Sequence, residues 1–255
     1  MKIIGIIPVR MNATRFPGKP MELICGMPMV EHCYHRTCLA LGEKNVYVAT
    51  CDKIISDYIQ KIGGKVVITS KKHKRATTRT AEAKIKIEKK YKLKIDGVVM
   101  VQGDEPTISD KSILDTATTL LKPEINIVNV VSKIESKSEF MNKNNVKVVI
   151  NNKDQAIYFS RLPVPYSIDP KLKNKNYMQT GIIGFKSKKL DEFNSMKETN
   201  LEILESVDMN RLVENNQTIH LIYSDISTIS VDNKKELKMA EKKIKQDSIF
   251  IKYAK

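Results

Sequence analysis

Short apolar segments alternate with longer amphipathic segments over the first 122 residues, and this alternation constrains the fold more than any other feature of the chain. The apolar segments have the length and composition of buried parallel strands: Lys2–Pro8, Asn45–Thr50, Lys65–Thr69 and Asp96–Val101. The segments between them carry apolar residues at helical spacing: Met29–Leu41, Lys53–Ile62, Thr80–Tyr91 and Asp110–Leu121. Repeated strand–helix units predict an α/β fold with a Rossmann-like, mostly parallel sheet and right-handed crossovers.

The pattern changes after about residue 122. Strand-like segments then follow one another with little helix between them: Ile125–Ile134, Val146–Ile150, Ala156–Ser160 and Tyr177–Phe185. Helical spacing returns later, and one more strand is predicted: helices at Leu190–Asn194, Leu201–Glu214 and Asn233–Lys245, and a strand at Thr218–Tyr223. Because no linker or internal repeat divides the chain, we expect a single domain, 1–255, with an antiparallel excursion of the sheet in its second half.

Composition excludes several classes of protein. The chain has 255 residues and is 41% hydrophobic, which is enough to bury a sizeable core. It contains no run of about 20 apolar residues, the length that a membrane helix needs, and its first ten residues do not have the pattern of a signal peptide. The four cysteines form no C-x-x-C pair and are expected to be reduced thiols: Cys25, Cys33, Cys38 and Cys51. We therefore expect a cytoplasmic protein with no membrane partner.

The net charge of +15 leaves three kinds of partner open. A basic chain suits nucleic acid, an acidic surface or an anionic substrate. Nucleic-acid binding requires a clustered basic face with stacking aromatic side chains, whereas this chain has no tryptophan and 6% aromatic residues. We expect no nucleic-acid partner, and keep a basic nucleic-acid-binding protein as the alternative from another functional class.

The loop after the first strand has an unusual composition. Ligands of open α/β sheets bind at the carboxyl ends of the strands, and residues 8–20 place Arg10, Arg15, Gly18 and Lys19 there. These cations and the backbone N–H groups form a suitable cradle for a triphosphate, although the segment is neither a Walker A loop nor a G-x-G-x-x-G turn. From the spacing alone, a solvated basic loop is equally consistent with the sequence.

A second unusual loop follows the fourth strand, where Val101–Pro106 reads V-Q-G-D-E-P. An aspartate at a strand end, beside bound phosphates, is a natural ligand for Mg²⁺, and Asp104 occupies that position. The competing interpretation is a Gly-Asp turn in which the carboxylate only caps the backbone.

Seven segments, taken in order along the chain, resemble the nucleotidyltransferases that activate sugars, and above all the 3-deoxy-manno-octulosonate (Kdo) cytidylyltransferases, also called CMP-Kdo synthetases. Two of the seven are the loops described above. The others are His73–Glu82, Tyr158–Arg161 followed by Pro163 and Pro165, Gln179–Phe185, Leu201–Leu212 and Val231–Leu237. The resemblance implies a glycosyltransferase-A-like nucleotidyltransferase fold with a nucleotide-binding half, 1–122, and a half for sugar binding and dimerisation, 123–255.

The resemblance also implies a role for each matched position. The nucleotide-binding residues would be Pro8, Arg10, Arg15, Lys19, Arg75, Thr77, Arg79 and Gln102. The sugar-binding residues would be Arg161, Gln179, Glu205 and Asp208. Asp104 and Asp232 would hold Mg²⁺ and, together with Arg10 and Lys19, would be the catalytic residues.

Several matched positions depart from the family pattern. Ala13 replaces a usual serine in the phosphate loop, and Arg75 begins a pair that replaces serine and glycine beside the base. In the sugar-facing segments Gln179 replaces a usual histidine, and Asp208 with the following methionine replaces a glutamate-glutamine pair. We therefore expect CTP chemistry to be retained, with Kdo or a modified 2-keto-3-deoxy acid, such as an amino sugar, as the second substrate.

The expected reaction is transfer of CMP from CTP to the anomeric hydroxyl of that sugar acid, with release of pyrophosphate, for the synthesis of lipopolysaccharide or capsule. Two alternatives of the same chemistry stay open: a CMP-nonulosonic-acid synthetase of the sialic-acid type, and a degenerate member that binds CTP without turnover. The family further implies a homodimer, formed through residues 123–185.

Overall fold

The computed structural model describes residues 1–12, 16–169 and 175–254, and its first half follows the predicted alternation of strands and helices. The strands of this half are β1 (Ile3–Pro8), β2 (Leu23–Ile24), β3 (Met27–Pro28), β4 (Val46–Thr50), β5 (Lys65–Ile68) and β6 (Gly97–Val101). The helices are α1 (Met29–Leu41), α2 (Lys53–Lys61), α3 (Ala76–Tyr91) and α4 (Asp110–Thr119), with 3₁₀ turns at Lys19–Met21 and Glu43–Asn45. The predicted segments are confirmed, and the small hairpin of β2 and β3 is an addition.

The second half contains the predicted run of strands. They are β7 (Ile127–Lys133), β8 (Lys147–Ile150), β9 (Ala156–Ser160), β10 (Tyr177–Lys186) and β11 (His220–Tyr223). The helices are α5 (Lys137–Met141), α6 (Ser187–Ser195), α7 (Asn200–Glu205), α8 (Met209–Glu214), α9 (Lys234–Lys245) and α10 (Ser248–Ile251). The short helices α5 and α10 are elements that the sequence pattern did not predict.

One predicted helix, Leu201–Glu214, is wrong, because the segment forms two helices with a break between them. Ser206 adopts a left-handed φ of 53° and ends α7. The next two side chains turn inward instead of continuing the helix: Val207 is buried, and the Asp208 carboxylate accepts a hydrogen bond of 2.5 Å from the Thr77 hydroxyl. The break directs residues 206–208 toward the cleft described below.

Nine strands form one sheet in the order β11-β7-β10-β6-β1-β4-β5, with β8 paired to β10 and β9 paired to β8. Strands β5, β4, β1 and β6 run parallel to one another, and so do β7 and β11. Strand β10 runs antiparallel to both β6 and β7, so it joins the two parallel groups. The prediction of a mostly parallel α/β sheet with an antiparallel excursion in the second half is confirmed.

The hydrophobic core lies on both faces of the sheet, because successive strand residues point to opposite sides. In β6, Val98 and Met100 belong to a cluster with residues of α3 and α6, whereas Val99 and Val101 belong to a cluster with residues of α1 and α4. A strand that is buried on both faces needs apolar residues throughout, which accounts for the sequence GVVMV. None of the helices in the described ranges is long and apolar enough to cross a membrane.

The strand order places the cleft at β1, which lies between β4 and β6. The chain passes from β1 to β4 on one side and reaches β6, on the other side, only after β5 and α3. Ligands of doubly wound sheets bind at such a switch point, outside the carboxyl ends of the strands. The loops that follow β1 and β6 meet there.

Strand β10 carries an irregularity next to this point. Its pairing with β7 shifts between Gln179 and Ile183, so that three residues of β10 lie opposite one residue of β7. The side-chain amide of Asn129 fills the gap by donating to the carbonyl oxygens of Thr180 at 3.3 Å and of Ile182 at 3.0 Å. Bulges of this kind re-aim a strand, and this one separates the part of β10 that lines the cleft from the part that pairs along β6.

Gly181 lies in the bulge and has no room for a side chain. A Cβ atom at this position would lie 2.7 Å from the Cβ of Gln102 and 3.1 Å from the Cδ of Glu105. We expect Gly181→Ala to lower the free energy of unfolding by about 1–3 kcal/mol, because the loop after β6 must shift. Urea denaturation measures this loss.

Gly97→Ala is the matched control, because Gly97 lies on the same pair of strands and an added Cβ there would meet its nearest neighbour at 3.3 Å. The control should lose less stability than Gly181→Ala. Equal losses in the two variants would contradict the close contact described for Gly181.

Candidate active site

An open cleft of about 460 Å³ lies at the carboxyl ends of β1 and β6. Most of the residues that the sequence analysis assigned to the site line it: Pro8, Arg10, Lys19, Arg75, Arg79, Gln102, Asp104, Arg161, Gln179, Asp208 and Asp232. Thr77 and Glu205 are not part of the lining but are bonded to residues that are. Arg15, like Ala13, lies outside the described residues. The cleft is therefore built by both halves of the chain.

Lys19 lies at the centre of the cleft. It opens the 3₁₀ turn after Gly18, whose φ of 79° is the left-handed conformation that glycine adopts readily. The buried Lys19 ammonium donates to Asp104 Oδ2 at 2.7 Å, to Asp232 Oδ1 at 2.9 Å and to the carbonyl oxygen of Val231 at 2.9 Å. Burial alone would lower the pKa of Lys19, but the charges of Asp104 and Asp232 outweigh it and raise the pKa above its ordinary value. The amine is therefore held in its charged form.

Asp104 and Asp232 form a pair of ligands that fits a divalent cation. Asp104 Oδ1 is buried and has no hydrogen-bond partner among the described residues, so the pair offers a hard oxygen ligand that Lys19 does not use. No group of three or more His, Cys, Asp or Glu side chains suited to a metal occurs in residues 1–12, 16–169 and 175–254. Mg²⁺ needs no such cage, because one or two carboxylates commonly hold it together with waters and substrate phosphates.

Glu105 is a cleft residue to which the sequence analysis gave no role. Its side chain is buried, and Oε1 accepts a hydrogen bond of 2.7 Å from the Gly181 N–H. Burial raises the pKa of Glu105 to about 8, a shift that the Gly181 hydrogen bond opposes and the charges of Asp104 and Asp232 reinforce. The only feature of the sequence that could have indicated Glu105 as a cleft residue is its position directly after Asp104 in the V-Q-G-D-E-P segment.

Two contacts fix the loop after β1. Arg10 donates from Nη1 to the carbonyl oxygen of His73 at 3.1 Å, and Asp52 Oδ2 accepts from the Met11 N–H at 2.8 Å. Arg10 thereby connects the predicted phosphate segment to the predicted base segment. Asp52, which follows β4, ties the same loop to the neighbouring strand end and was not singled out from the sequence.

The wall formed by α3 carries the predicted base-binding residues. Arg79 is buried, and its Nη1 donates to Thr69 Oγ1 at 2.5 Å, whereas its Nη2 is buried without a partner among the described residues. A buried guanidinium nitrogen that lacks a partner is costly unless a ligand accepts its hydrogen bond. Thr77 donates to Asp208, so it joins α3 to the break between α7 and α8.

The opposite wall is held together by Arg161 and Glu205. Arg161 donates from Nε to the carbonyl oxygen of Glu205 at 2.6 Å and from Nη1 to that of Lys143 at 3.0 Å. The Glu205 carboxylate accepts from the hydroxyls of Tyr158 at 2.9 Å and Ser160 at 2.8 Å. These contacts connect β9 to α7 and give the wall its shape, while the sugar-binding roles of Arg161 and Glu205 stay predictions.

Lys147 supports the same wall and was missed in the sequence. Its buried ammonium donates to the carbonyl oxygens of Asn142 at 2.9 Å, Asn145 at 2.7 Å and Arg161 at 2.7 Å. Burial lowers the pKa of Lys147 to about 8, and the charge of Arg161 adds to this shift. Because residues 144–146 line the cleft, Lys147 shapes it through the backbone. The sequence feature that could have indicated this role is a lysine as the first residue of an otherwise apolar strand, KVVI.

A solved structure provides the class of protein. CMP:2-keto-3-deoxy-manno-octonic acid synthetase complexed with CTP superimposes with a TM-score of 0.85 at 29% identity, over 96% of this chain and 99% of that chain. The sheet topology, with its cleft at the carboxyl ends of the central strands, is therefore that of a nucleotidyltransferase.

Sequence comparison specifies the family within this class. Residues 4–219 match the family model described as cytidylyltransferase. The 3-deoxy-manno-octulosonate cytidylyltransferase of Thermodesulfovibrio yellowstonii is 35% identical over 250 residues, which cover 95% of this chain and 98% of the relative. The one of Fusobacterium nucleatum subsp. nucleatum is 35% identical over 255 residues, covering 98% and 100%. The chain belongs to the cytidylyltransferase family, among the 3-deoxy-manno-octulosonate cytidylyltransferases.

The shifted pKa of Glu105 predicts a pH dependence of stability. In the folded protein the pKa of Glu105 is about 8, so the carboxyl keeps its proton up to about that pH. In the unfolded chain it loses the proton near its ordinary pKa of 4.5. Ionisation therefore favours the unfolded state, and the free energy of unfolding should fall as the pH rises through this window. Glu105→Gln removes the titrating group and keeps an acceptor for the Gly181 N–H. Urea denaturation between about pH 5 and about pH 8 should show a smaller fall for the variant, and identical pH profiles would contradict the assignment.

Proposed function

We propose that this cytidylyltransferase transfers CMP from CTP to the anomeric hydroxyl of Kdo, or of a Kdo-like 2-keto-3-deoxy sugar acid, and releases pyrophosphate. The observation that carries the proposal is the convergence of Lys19, Asp104 and Asp232 between two walls that contain the predicted base-binding and sugar-binding segments. The names of the relatives, and the CTP bound to the similar solved structure, support the same reaction.

In the proposed reaction the anomeric oxygen attacks the α-phosphorus of CTP. The new P–O bond forms as the bond to the β-phosphate oxygen breaks, pyrophosphate leaves, and the hydroxyl proton passes to solvent or to a basic group of the cleft. Such a transfer depends chiefly on positioning and on neutralisation of charge. Arg10 and Lys19, which both line the cleft, are the cations that would neutralise the triphosphate.

The reaction would depend on Mg²⁺. Asp104 and Asp232 would hold the ion, and the unfilled Oδ1 of Asp104 supports this assignment. When bound, Mg²⁺ supplies Lewis-acid stabilisation of the charge on the phosphates. The chain itself contributes the fixed positions of the two carboxylates, since the Val231 N–H donates to the Asp104 carbonyl oxygen at 2.9 Å and so ties the two segments together.

The position of Arg79 supports the proposal that the bound nucleotide carries cytosine. Its buried Nη2 is a donor without a partner in the described structure, and the residue lines the cleft. The Watson–Crick edge of cytosine offers the acceptors O2 and N3, whereas uracil presents an N3–H donor toward the same position. A guanidinium only donates, so Arg79 would favour cytosine over uracil by facing N3 of the base.

Gln179 and Asp208 are proposed to set the choice of sugar acid. Both line the cleft, and both stand where this chain departs from the family pattern. The Gln179 backbone is fixed by its N–H, which donates to the Val146 carbonyl oxygen at 2.8 Å, so its amide is held in the lining. An amide both donates and accepts, which suits the hydroxyl or amino substituents of Kdo or a modified Kdo.

We expect Asp104→Asn and Asp232→Asn each to lower turnover by about a hundredfold or more, equivalent to roughly 2.7 kcal/mol of transition-state stabilisation. The reason is that each variant removes one of the two charged ligands of the metal site. Pyrophosphate release from CTP in the presence of Mg²⁺ and Kdo measures turnover, with circular dichroism as the check on folding.

Asp115→Asn is the matched control, because Asp115 forms an exposed ion pair with Lys111, and it should keep wild-type turnover. Near-normal turnover of a folded cleft variant would contradict the metal assignment. Equal wild-type turnover with ATP, GTP or UTP in place of CTP would contradict the proposed function.

A homodimer is a further part of the proposal. Large apolar side chains are exposed along residues 156–168 and on α7: Ile157, Leu162, Tyr166, Ile168 and Leu204. The two segments are neighbours, because Tyr158 and Arg161 both bond to Glu205. Exposed apolar side chains concentrated in one region are characteristic of protein interfaces, and a second copy of the chain is the occupant that the family resemblance implies.

We expect the wild-type protein to sediment as a dimer and Leu162→Glu to sediment as a monomer, because the charge would be buried in the interface. Leu114→Glu is the control, since Leu114 is exposed on α4, which packs on α1 and on β6, β7, β10 and β11, and it should leave the dimer intact. A wild-type monomer, or a dimer that tolerates Leu162→Glu, would contradict the proposed interface.

A cytoplasmic location, and the use of the CMP-sugar for cell-surface polysaccharide, complete the proposal. The four cysteines carry free thiols in the structure, as expected in a reducing compartment. Cell fractionation followed by the pyrophosphate assay tests the location, and activity confined to a membrane or exported fraction would contradict it.

A further inference from the structure

We propose that the ammonium of Lys19 is the resident cation of the Asp104–Asp232 site in the free enzyme, and that Mg²⁺ replaces it only when the triphosphate of the nucleotide draws the ammonium away. The inference rests on the proposed function and adds an order of binding to it. In this order the free enzyme discriminates against free Mg²⁺, and the nucleotide opens the metal site.

The hydrogen bonds of Lys19 provide the first argument. A lysine ammonium has three N–H donors, and this one has three acceptors: Asp104 Oδ2 at 2.7 Å, Asp232 Oδ1 at 2.9 Å and the Val231 carbonyl oxygen at 2.9 Å. No donor remains for a phosphate oxygen while all three bonds are formed. Phosphate binding by Lys19 therefore requires at least one of these bonds to break.

The charges provide the second argument. The side chains of Lys19 and Asp232 are 9% and 7% exposed, and that of Asp104 is 25% exposed. Two carboxylates this close together repel each other unless a cation lies between them, so Lys19 positions both ligands before any metal arrives. A divalent cation that entered beside the ammonium would be repelled by it at short range. The same ammonium therefore prepares the ligands and excludes the free ion.

The backbone around Lys19 provides the third argument. The Gly18 N–H donates to the Met11 carbonyl oxygen at 3.0 Å, and the Lys19 N–H donates to that of Phe16 at 3.3 Å. The start of the turn is thus held by the loop after β1, so we expect the exchange to move the Lys19 side chain and to leave this backbone in place. Lys19 bonds to Oδ2 of Asp104, whereas Oδ1 is buried without a partner in the described structure. Oδ1 is therefore the oxygen that stays available to the metal.

Direct binding of Mn²⁺, a hard divalent probe for oxygen ligands, tests this inference without an activity measurement. Free Mn²⁺ is quantified by electron paramagnetic resonance as each protein is titrated in the absence of nucleotide. We expect Lys19→Met and Lys19→Gln to bind Mn²⁺ about tenfold or more tightly than the wild type, because the competing charge is gone. Lys19→Gln keeps a hydrogen-bond donor, so it carries the test if Lys19→Met does not fold.

Lys186→Met is the control for the loss of one positive charge. The Lys186 ammonium lies outside the cleft and donates to the carbonyl oxygens of Lys122 at 2.9 Å and Pro123 at 2.6 Å, so its removal frees no pair of carboxylates. This variant should bind Mn²⁺ as weakly as the wild type. An equal gain in Lys186→Met, or no gain in either Lys19 variant, would overturn the inference.

Wild-type pyrophosphate release with CTP, Mg²⁺ and Kdo is measured in parallel, so that the two proposals fail separately. If the wild type turns over but the Lys19 variants bind Mn²⁺ no more tightly than the wild type, the exchange is overturned and the proposed function still holds. A gain in affinity without turnover by the wild type would support the exchange and contradict the proposed function.

Discussion

The ion pairs of Lys19 with Asp104 and Asp232 join three segments that are far apart in the sequence, with separations of 85 and 213 residues. Lys19 and Asp104 lie in the loops after β1 and β6, which are neighbouring strands, and the Asp232 segment is tied to Asp104 by the Val231 N–H. The parallel sheet brings these strand ends together, and the buried ammonium prevents two carboxylates from repelling each other. The geometry of the cleft is organised around this one cation.

The two walls of the cleft are held by a different kind of interaction, in which buried polar side chains bond to backbone carbonyls or to each other across the chain. Lys147 holds the loop of residues 142–145, Glu205 holds the end of β9, and Thr77 holds the break between α7 and α8. Buried polar groups of this kind are stable only when their partners are in place. The shape of the walls is therefore a property of the folded domain and not of any single segment.

The loops after β1 and β6 could be located from the sequence because buried parallel strands have a recognisable apolar pattern and their carboxyl ends meet at one edge. The walls could not be predicted in the same way. The helical spacing of Leu201–Glu214 does not reveal the break at Ser206, because the break is stabilised by a contact between Thr77 and Asp208, 131 residues apart. For the same reason Glu105 and Lys147 looked like ordinary members of a loop and a strand.

The cytidylyltransferase reaction requires one cleft to join a cytidine nucleotide to a sugar acid. Phosphorus-31 NMR of the protein with CTP, Mg²⁺ and a panel of 2-keto-3-deoxy sugar acids that includes Kdo observes this joining directly. We expect a growing phosphodiester resonance of a CMP-sugar together with an equal amount of pyrophosphate. Release of inorganic phosphate, release of free CMP without a conjugate, or an unchanged CTP spectrum with every sugar acid would contradict it.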